Sequence, residues 1–165
     1  MIEKIISGGQ TGVDQAGLRI ANENGLPLGG WCPKGGLDEN GDDIRKTYPS
    51  LQATIAANPD ERTKLNIRDS DGTLIVVPRW PLPETIQDGT RLTYKEIMEQ
   101  GKPYLIIGLN DTENAAVKIL QWIKEHNIKI LNVAGPRESS SPGIDEHASA
   151  LFRQVLSSLK PRARL

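Results

Sequence analysis

Residues 73–77 read Thr-Leu-Ile-Val-Val, a β-branched apolar run that Pro78 closes. A strand without polar alternation presents apolar side chains on both of its faces, so both must be covered. That is the pattern of a parallel sheet held between layers of helices. The rest of the chain supplies the partners. Residues 2–7 and 128–134 read as strands, Pro103 to Leu109 as a further buried strand through Tyr104-Leu105-Ile106-Ile107, and Leu26-Pro27-Leu28 as a short extended piece. Between them, Val13, Gly17, Ile20 and Ala21 recur at helical spacing over 12–24, with Gly25 as the stop. Leu92, Ile97 and Met98 predict a helix from Gly89-Thr90 to about Gln100, closed by Gly101. Asp111 or Thr112 is placed to cap a helix whose apolar stripe is Ala116, Ile119, Leu120 and Ile123. The last helix shows the clearest stripe, Ile144, Ala148, Leu151, Phe152, Val155 and Leu159. Strands alternating with helices of this length predict an α/β domain with a mostly parallel sheet and right-handed crossovers. Residues 1–159 are expected to form that one domain, followed by a basic tail at 160–165.

Other segments carry weaker signals. Gly29 to Asp43 reads as a loop, and its acidic part, Asp38-Glu39-Asn40-Gly41-Asp42-Asp43, lacks the glycine position and the closing glutamate of a calcium loop. It reads as a solvated loop. A short helix is expected within 47–57, Asn58-Pro59-Asp60 reads as a turn, and the charged stretch Glu61 to Asp71 has no assigned element.

Charge and cysteine content narrow the function classes. With 20 basic and 21 acidic residues the net charge is −1, which lacks the basic field of a dedicated nucleic-acid binder. The one cysteine, Cys32, cannot form an internal disulfide or build a cysteine zinc cage, and reads as a buried inert thiol. No apolar run approaches the roughly 18 residues of a membrane span, so a cytoplasmic protein without membrane or nucleic-acid partners is expected.

In a parallel sheet every strand ends at the same edge, and open α/β folds bind ligands there. The loop Ser7 to Asp14 leaves the first strand and opens a helix, so glycine-lined N–H groups and a positive helix end face that edge. Two further loops share it, one reaching Gly89-Thr90-Arg91-Leu92-Thr93 and one running from Gly135 to Gly143. Together they predict a site for a phosphate-bearing ligand, formed by Gly8, Gly9, Gln10, Thr11, Gly12, Asp14, Gly89, Thr90, Thr93, Gly135, Pro136, Arg137, Glu138 and Ser139. Arg137 is the expected counter-charge, because a guanidinium grips phosphate with two parallel hydrogen bonds. Asp14 is the candidate acceptor for a ribose or base. Asp69, Ser70 and Asp71 precede the 73–77 strand and belong at the opposite edge, in capping or turn roles. His126 and His147 stand alone in sequence and read as structural, and no spacing marks a metal site.

Several motifs together resemble the family of putative molybdenum carrier proteins. They are Ser7-Gly8-Gly9-Gln10-Thr11-Gly12-Val13-Asp14, Gly29-Gly30-Trp31-Cys32-Pro33-Lys34-Gly35, Arg62-Thr63 with Asn66, Asp69-Ser70-Asp71-Gly72-Thr73-Leu74-Ile75, and Gly89-Thr90 with Thr93. That family is similar to the Rossmann-like superfamily of the LOG-type phosphoribohydrolases and DNA-processing protein A. In that superfamily the motif seen here at the N-terminus is usually preceded by a strand and turn resembling Ala134-Gly135-Pro136-Arg137-Glu138-Ser139. The resemblance therefore implies a circular permutation, with the last strand central and flanked by the first strand and by 73–77. It also implies the molybdenum cofactor as ligand; the expected placement of that cofactor has its phosphate on the glycine loops and its pterin against Trp31 or Trp80. LOG-type enzymes carry a catalytic glutamate where this chain has Thr93. The main expectation is accordingly a non-catalytic carrier of a phosphorylated pterin or nucleotide-like molecule, and a homo-oligomer with Trp80-Pro81-Leu82 between subunits. The alternatives are a nucleotide N-glycoside hydrolase using Asp14 or Glu138 as the acid-base group, and a nucleotide sensor without turnover.

Overall fold

The computed structural model describes residues 1–84, 86, 89–111 and 113–159. Its elements follow in chain order: β1 (Lys4–Ile6), α1 (Val13–Glu23), β2 (Leu28–Gly29), β3 (Trp31–Cys32), α2 (Ile44–Thr47), β4 (Gln52–Ala53), α3 (Pro59–Arg68), β5 (Gly72–Val77), α4 (Gly89–Gln100), β6 (Tyr104–Gly108), α5 (Ala115–Glu125), β7 (Ile130–Ala134) and α6 (Ile144–Leu159). The basic tail and Thr112 lie outside the described residues.

Five strands form one sheet in the order β2-β1-β7-β5-β6, and every pairing in it is parallel. The last strand in sequence is thus central, hydrogen-bonded to β1 on one side and β5 on the other, as the permuted arrangement requires. Helices cover both faces. Along β5, Leu74 and Val76 pack into the main core with residues of α1, α5 and α6, while Ile75 and Val77 pack with Ile67 of α3 and Ile97 of α4. The alternation has period two, so each face of this strand has its own helix layer. Burying one such side chain contributes about 1.5–3 kcal/mol, and the buried polar side chain of the strand, Thr73, accepts a hydrogen bond from Asn132 Nδ2 at 3.2 Å.

Some local expectations are corrected. β6 is an edge strand and only partly buried, with Tyr104 36% exposed, because no strand among the described residues pairs beyond it. The segment 29–43 contains β3, which pairs in parallel with β4 in a separate two-stranded sheet. Within 47–57 the chain is not helical beyond Thr47; the short helix lies earlier, at α2, where Asp43 accepts the Arg45 N–H as its N-cap. The unassigned charged stretch is largely α3, which Asn58 caps by accepting the Asp60 N–H. α3 shows little apolar periodicity because much of its inward face borders a polar cleft; Asn66 and Ile67 are its buried side chains. Finally, α5 starts after Asn114, which is left-handed at φ 64° and makes no side-chain cap, so Asp111 does not cap it.

Candidate functional site

The C-terminal ends of β1, β7 and β5 bring three chain segments into close approach. Gly12, at φ 82° and ψ −130°, precedes α1, and a Cβ there would lie 2.3 Å from the Pro136 carbonyl oxygen. That carbonyl accepts the Val13 N–H at 3.3 Å. A Cβ on Gly135 would lie 2.3 Å from the Val76 carbonyl. These two glycines seat the β1 loop, the β7 loop and the end of β5 against one another.

The glycine loop does not present its N–H groups as sequence reasoning expects. The Gly9 N–H goes to Ser7 Oγ at 3.2 Å, the Gln10 N–H to Asp14 Oδ2 at 3.3 Å, and the Thr11 N–H to Gln10 Oε1 at 3.1 Å. With Val13 on Pro136, four successive donors of this region, apart from Gly12, are engaged internally. The loop is held largely by its own side chains, and charged groups surround it.

Those groups line a small cleft of about 50 Å³, partly open to solvent. Gly8, Gln10 and Asp14 come from the first loop, Arg62, Thr63 and Asn66 from α3, Gly89 and Thr93 from α4, and Asn132, Ala134, Gly135 and Arg137 from β7 and its loop. Arg62 is the central side chain. A Cβ on Gly8 would lie 2.9 Å from its Nη1 and 3.0 Å from Asp14 Oδ2, so the guanidinium and the carboxylate flank the spot above Gly8. Among the described residues, the buried Nε of Arg62 has no hydrogen-bond partner. A buried guanidinium donor left unsatisfied is costly, and a ligand oxygen would relieve it. Asn66 has a positioning role: its amide brackets the Trp31 backbone, accepting from N at 2.8 Å and donating to O at 3.0 Å, which ties α3 to β3. Thr93 donates its hydroxyl to the Gly89 carbonyl at 2.9 Å.

The acidic loop also departs from expectation, because it folds back over the glycine loop. Gln10 Oε1 accepts the Glu39 N–H at 2.8 Å, and Gln15 Nε2 donates to Asp38 Oδ2 at 2.9 Å and to the Gly9 carbonyl at 2.9 Å. The Glu39 carboxylate receives the Thr11 hydroxyl at 2.5 Å and the Ser139 hydroxyl at 2.5 Å, plus the Ser139 N–H at 3.1 Å. Burial alone would raise its pKa, but these hydrogen bonds and nearby Arg137, whose Nη1 is 4.0 Å away, outweigh burial and lower it.

Of the sequence-predicted residues, Gly8, Gln10, Asp14, Gly89, Thr93, Gly135 and Arg137 line the one cleft. Gly9 faces elsewhere, toward Ile44 and Leu51, and Gly12 and Pro136 serve the contact between loops. Thr90 is buried, and Thr11 and Ser139 meet on Glu39. Glu138 is engaged at the start of α6, accepting the Gly143 N–H at 2.6 Å and the Asp145 N–H at 3.0 Å. Both carboxylate oxygens therefore serve the helix N-terminus. Trp31 directs its indole N–H to Asp69 at 2.9 Å, and neither it nor Trp80 lines the cleft. Asp71 accepts the N–H groups of Lys129 and Ile130 at 3.0 and 2.8 Å, joining β5 and β7 at the opposite edge.

Sequence reasoning did not single out Arg62 from the residues themselves, nor Glu39 or Asn132. The signal available for Arg62 was its place in the Arg62-Thr63 motif with Asn66 that the resemblance includes.

Residues 5–156 match the model of the circularly permutated YpsA SLOG family. The chain is also similar to a crystal structure from Syntrophus aciditrophicus, named "Putative molybdenum carrier protein", at 41% sequence identity and a TM-score of 0.86, covering 94% of this chain and 95% of that one. No match was found among curated proteins.

Proposed function

The chain belongs to the circularly permutated YpsA SLOG family, and from that premise we propose that its cleft binds a phosphorylated small molecule of pterin or nucleotide type, the molybdenum cofactor foremost. The observation that carries this reading is Arg62, whose buried Nε lacks a partner while its guanidinium borders the glycine above which a ligand oxygen would sit. Arg137 lines the same cleft and adds a second positive charge. Arg62 also borders a groove lined by Pro33, Lys34, Ala56 and Ala57. A phosphate in the cleft and a flat ring over the proline and alanines would place Arg62 at their junction. This replaces Trp31 and Trp80 as the ring platform.

Recognition in this reading runs through phosphate and ring. Among the described residues no group of three or more His, Cys, Asp or Glu is placed to hold a metal ion, so the metal of the cofactor is assigned no protein ligand. The relative from Syntrophus aciditrophicus, by its name, supports the choice of cargo. A hydrolytic alternative rests on Asp14, since Glu138 is bound to backbone at α6. The same reading includes a cytoplasmic, homo-oligomeric protein, for which the exposed Trp80, its ring 5.5 Å from Tyr94, is the candidate contact.

Calorimetric titration with molybdenum cofactor, nucleoside monophosphates and inorganic phosphate tests the proposal. Binding of a phosphorylated ligand at micromolar strength, weakened tenfold or more by Arg62→Ala, supports it. No binding by any of the three refutes it.

A further inference from the structure

Glu39 sits where an anionic group of a ligand would be expected to sit. Thr11 Oγ accepts the Glu138 N–H at 3.2 Å, so its own proton is directed at Glu39 Oε1. Ser139 offers both its hydroxyl and its N–H, and Arg137 approaches from the cleft side. Two hydroxyls, one backbone N–H and a guanidinium form a donor set suited to a phosphoryl or other oxyanion. The carboxylate that fills it comes from a largely exposed loop that Gly36 precedes and in which Gly41 lies, both at positive φ, and that a Leu37–Asp43 bridge closes. The loop tip is organised by its own contacts: Asp38 Oδ1 accepts the N–H groups of Asn40 and Asp42.

We propose that Thr11, Ser139 and Arg137 form a second oxyanion subsite beside the cleft, and that Glu39 latches it, so that the loop 37–43 is displaced by a ligand carrying two linked anionic groups. The inference rests on the cleft reading above and adds its regulation. Arg137 connects the two places, because it lines the cleft and stands 4.0 Å from Glu39. An anion drawing Arg137 toward the cleft weakens the latch, and a second anionic group then competes with Glu39 for the remaining donors. If Glu39 were instead a fixed staple, its loss would loosen the loops and weaken every ligand.

The opposite signs make the test direct. Inorganic phosphate and pyrophosphate are titrated calorimetrically into the intact protein and into the Glu39→Ala, Glu39→Gln and Arg62→Ala variants, with a thermal melt confirming that each is folded. Hydrogen exchange over 37–43 is followed with and without pyrophosphate. The expected result is pyrophosphate binding strengthened fivefold or more in both Glu39 variants, and faster exchange over 37–43 when pyrophosphate is added to the unaltered protein. Unchanged or weaker pyrophosphate binding in the Glu39 variants overturns the inference. If phosphate binding still depends on Arg62 in that case, the cleft reading survives alone. Absence of phosphate and pyrophosphate binding in every variant overturns the inference, and the cleft reading falls with it when molybdenum cofactor and nucleoside monophosphates also fail to bind.

Discussion

Replacing Gly12 by alanine probes the contact on which the site is built. At φ 82° and ψ −130° the residue occupies a region that side-chain-bearing residues avoid, which costs about 1–3 kcal/mol. Its new Cβ would also lie 2.3 Å from the Pro136 oxygen and 2.9 Å from both the Arg137 carbonyl carbon and the Glu138 nitrogen. All three are backbone atoms of the β7 loop, so relief requires the loops to part, and overpacking of this kind adds about 1–3 kcal/mol. The combined loss is roughly 2–6 kcal/mol, a large share of a total stability of about 5–15 kcal/mol. Gly35→Ala is the matched control. Gly35 has φ 86° but nothing within 4 Å of a Cβ, so it carries only the conformational cost of about 1–2 kcal/mol. Urea denaturation of the two variants, read as midpoint shifts at unchanged slope, isolates the contact. A loss of about 4 kcal/mol in Gly12→Ala corresponds to a melting temperature lower by roughly 8–16 °C for a chain of this size. Equal losses in the two variants would refute the claim that the β1 and β7 loops are locked together at this glycine.

Further expectations concern the elements around the cleft. Lys102 Nζ donates to the carbonyls of Ile67, Arg68 and Ser70 at 3.0, 2.5 and 2.7 Å, closing the end of α3, so Lys102→Met should cost about 1–2 kcal/mol by urea denaturation. The Arg68 side chain, ahead of the Trp31 indole N–H, holds the Asp69 carboxyl below its ordinary value against the opposing effect of burial. A lowered folded pKa stabilises above the unfolded value and loses that contribution as pH falls through the folded one. Asp69→Asn should therefore flatten the acid limb of the stability curve below about pH 4 and converge with the unaltered protein at the lowest pH, a small effect because the pair is exposed. Burial raises the Cys32 thiol pKa, outweighing Arg45 and Arg62, so a thiol reagent at neutral pH should label it slowly in the folded protein and rapidly in denaturant.

What the residues determine locally was legible without coordinates. The two-faced apolar run at β5 demands helices on both sides, Gly25 and Gly101 at positive φ end their helices, and the α6 stripe is buried from Ile144 to Val155, with Leu159 half-buried. These features act between neighbours a few positions apart, where periodicity and capping hold nearly independently of the rest of the chain. The parallel order with β7 at the centre came from motif resemblance, since pairing between strands distant in sequence leaves no local trace.

The contents of the site were decided by tertiary structure. Arg62 reads as one charge in a charged segment, and only the packing of α3 beside the β1 loop sets it next to Gly8 and Asp14. Glu39 and Ser139 are 100 residues apart, yet they share two hydrogen bonds. Conversely, Glu138 has the chemistry of a catalytic acid but is held by two backbone N–H groups at α6. A carboxylate or guanidinium carries the same charge wherever it lies. Its role depends on which donors and acceptors the fold brings within 3 Å, and that is a property of the assembled loops rather than of any stretch of sequence.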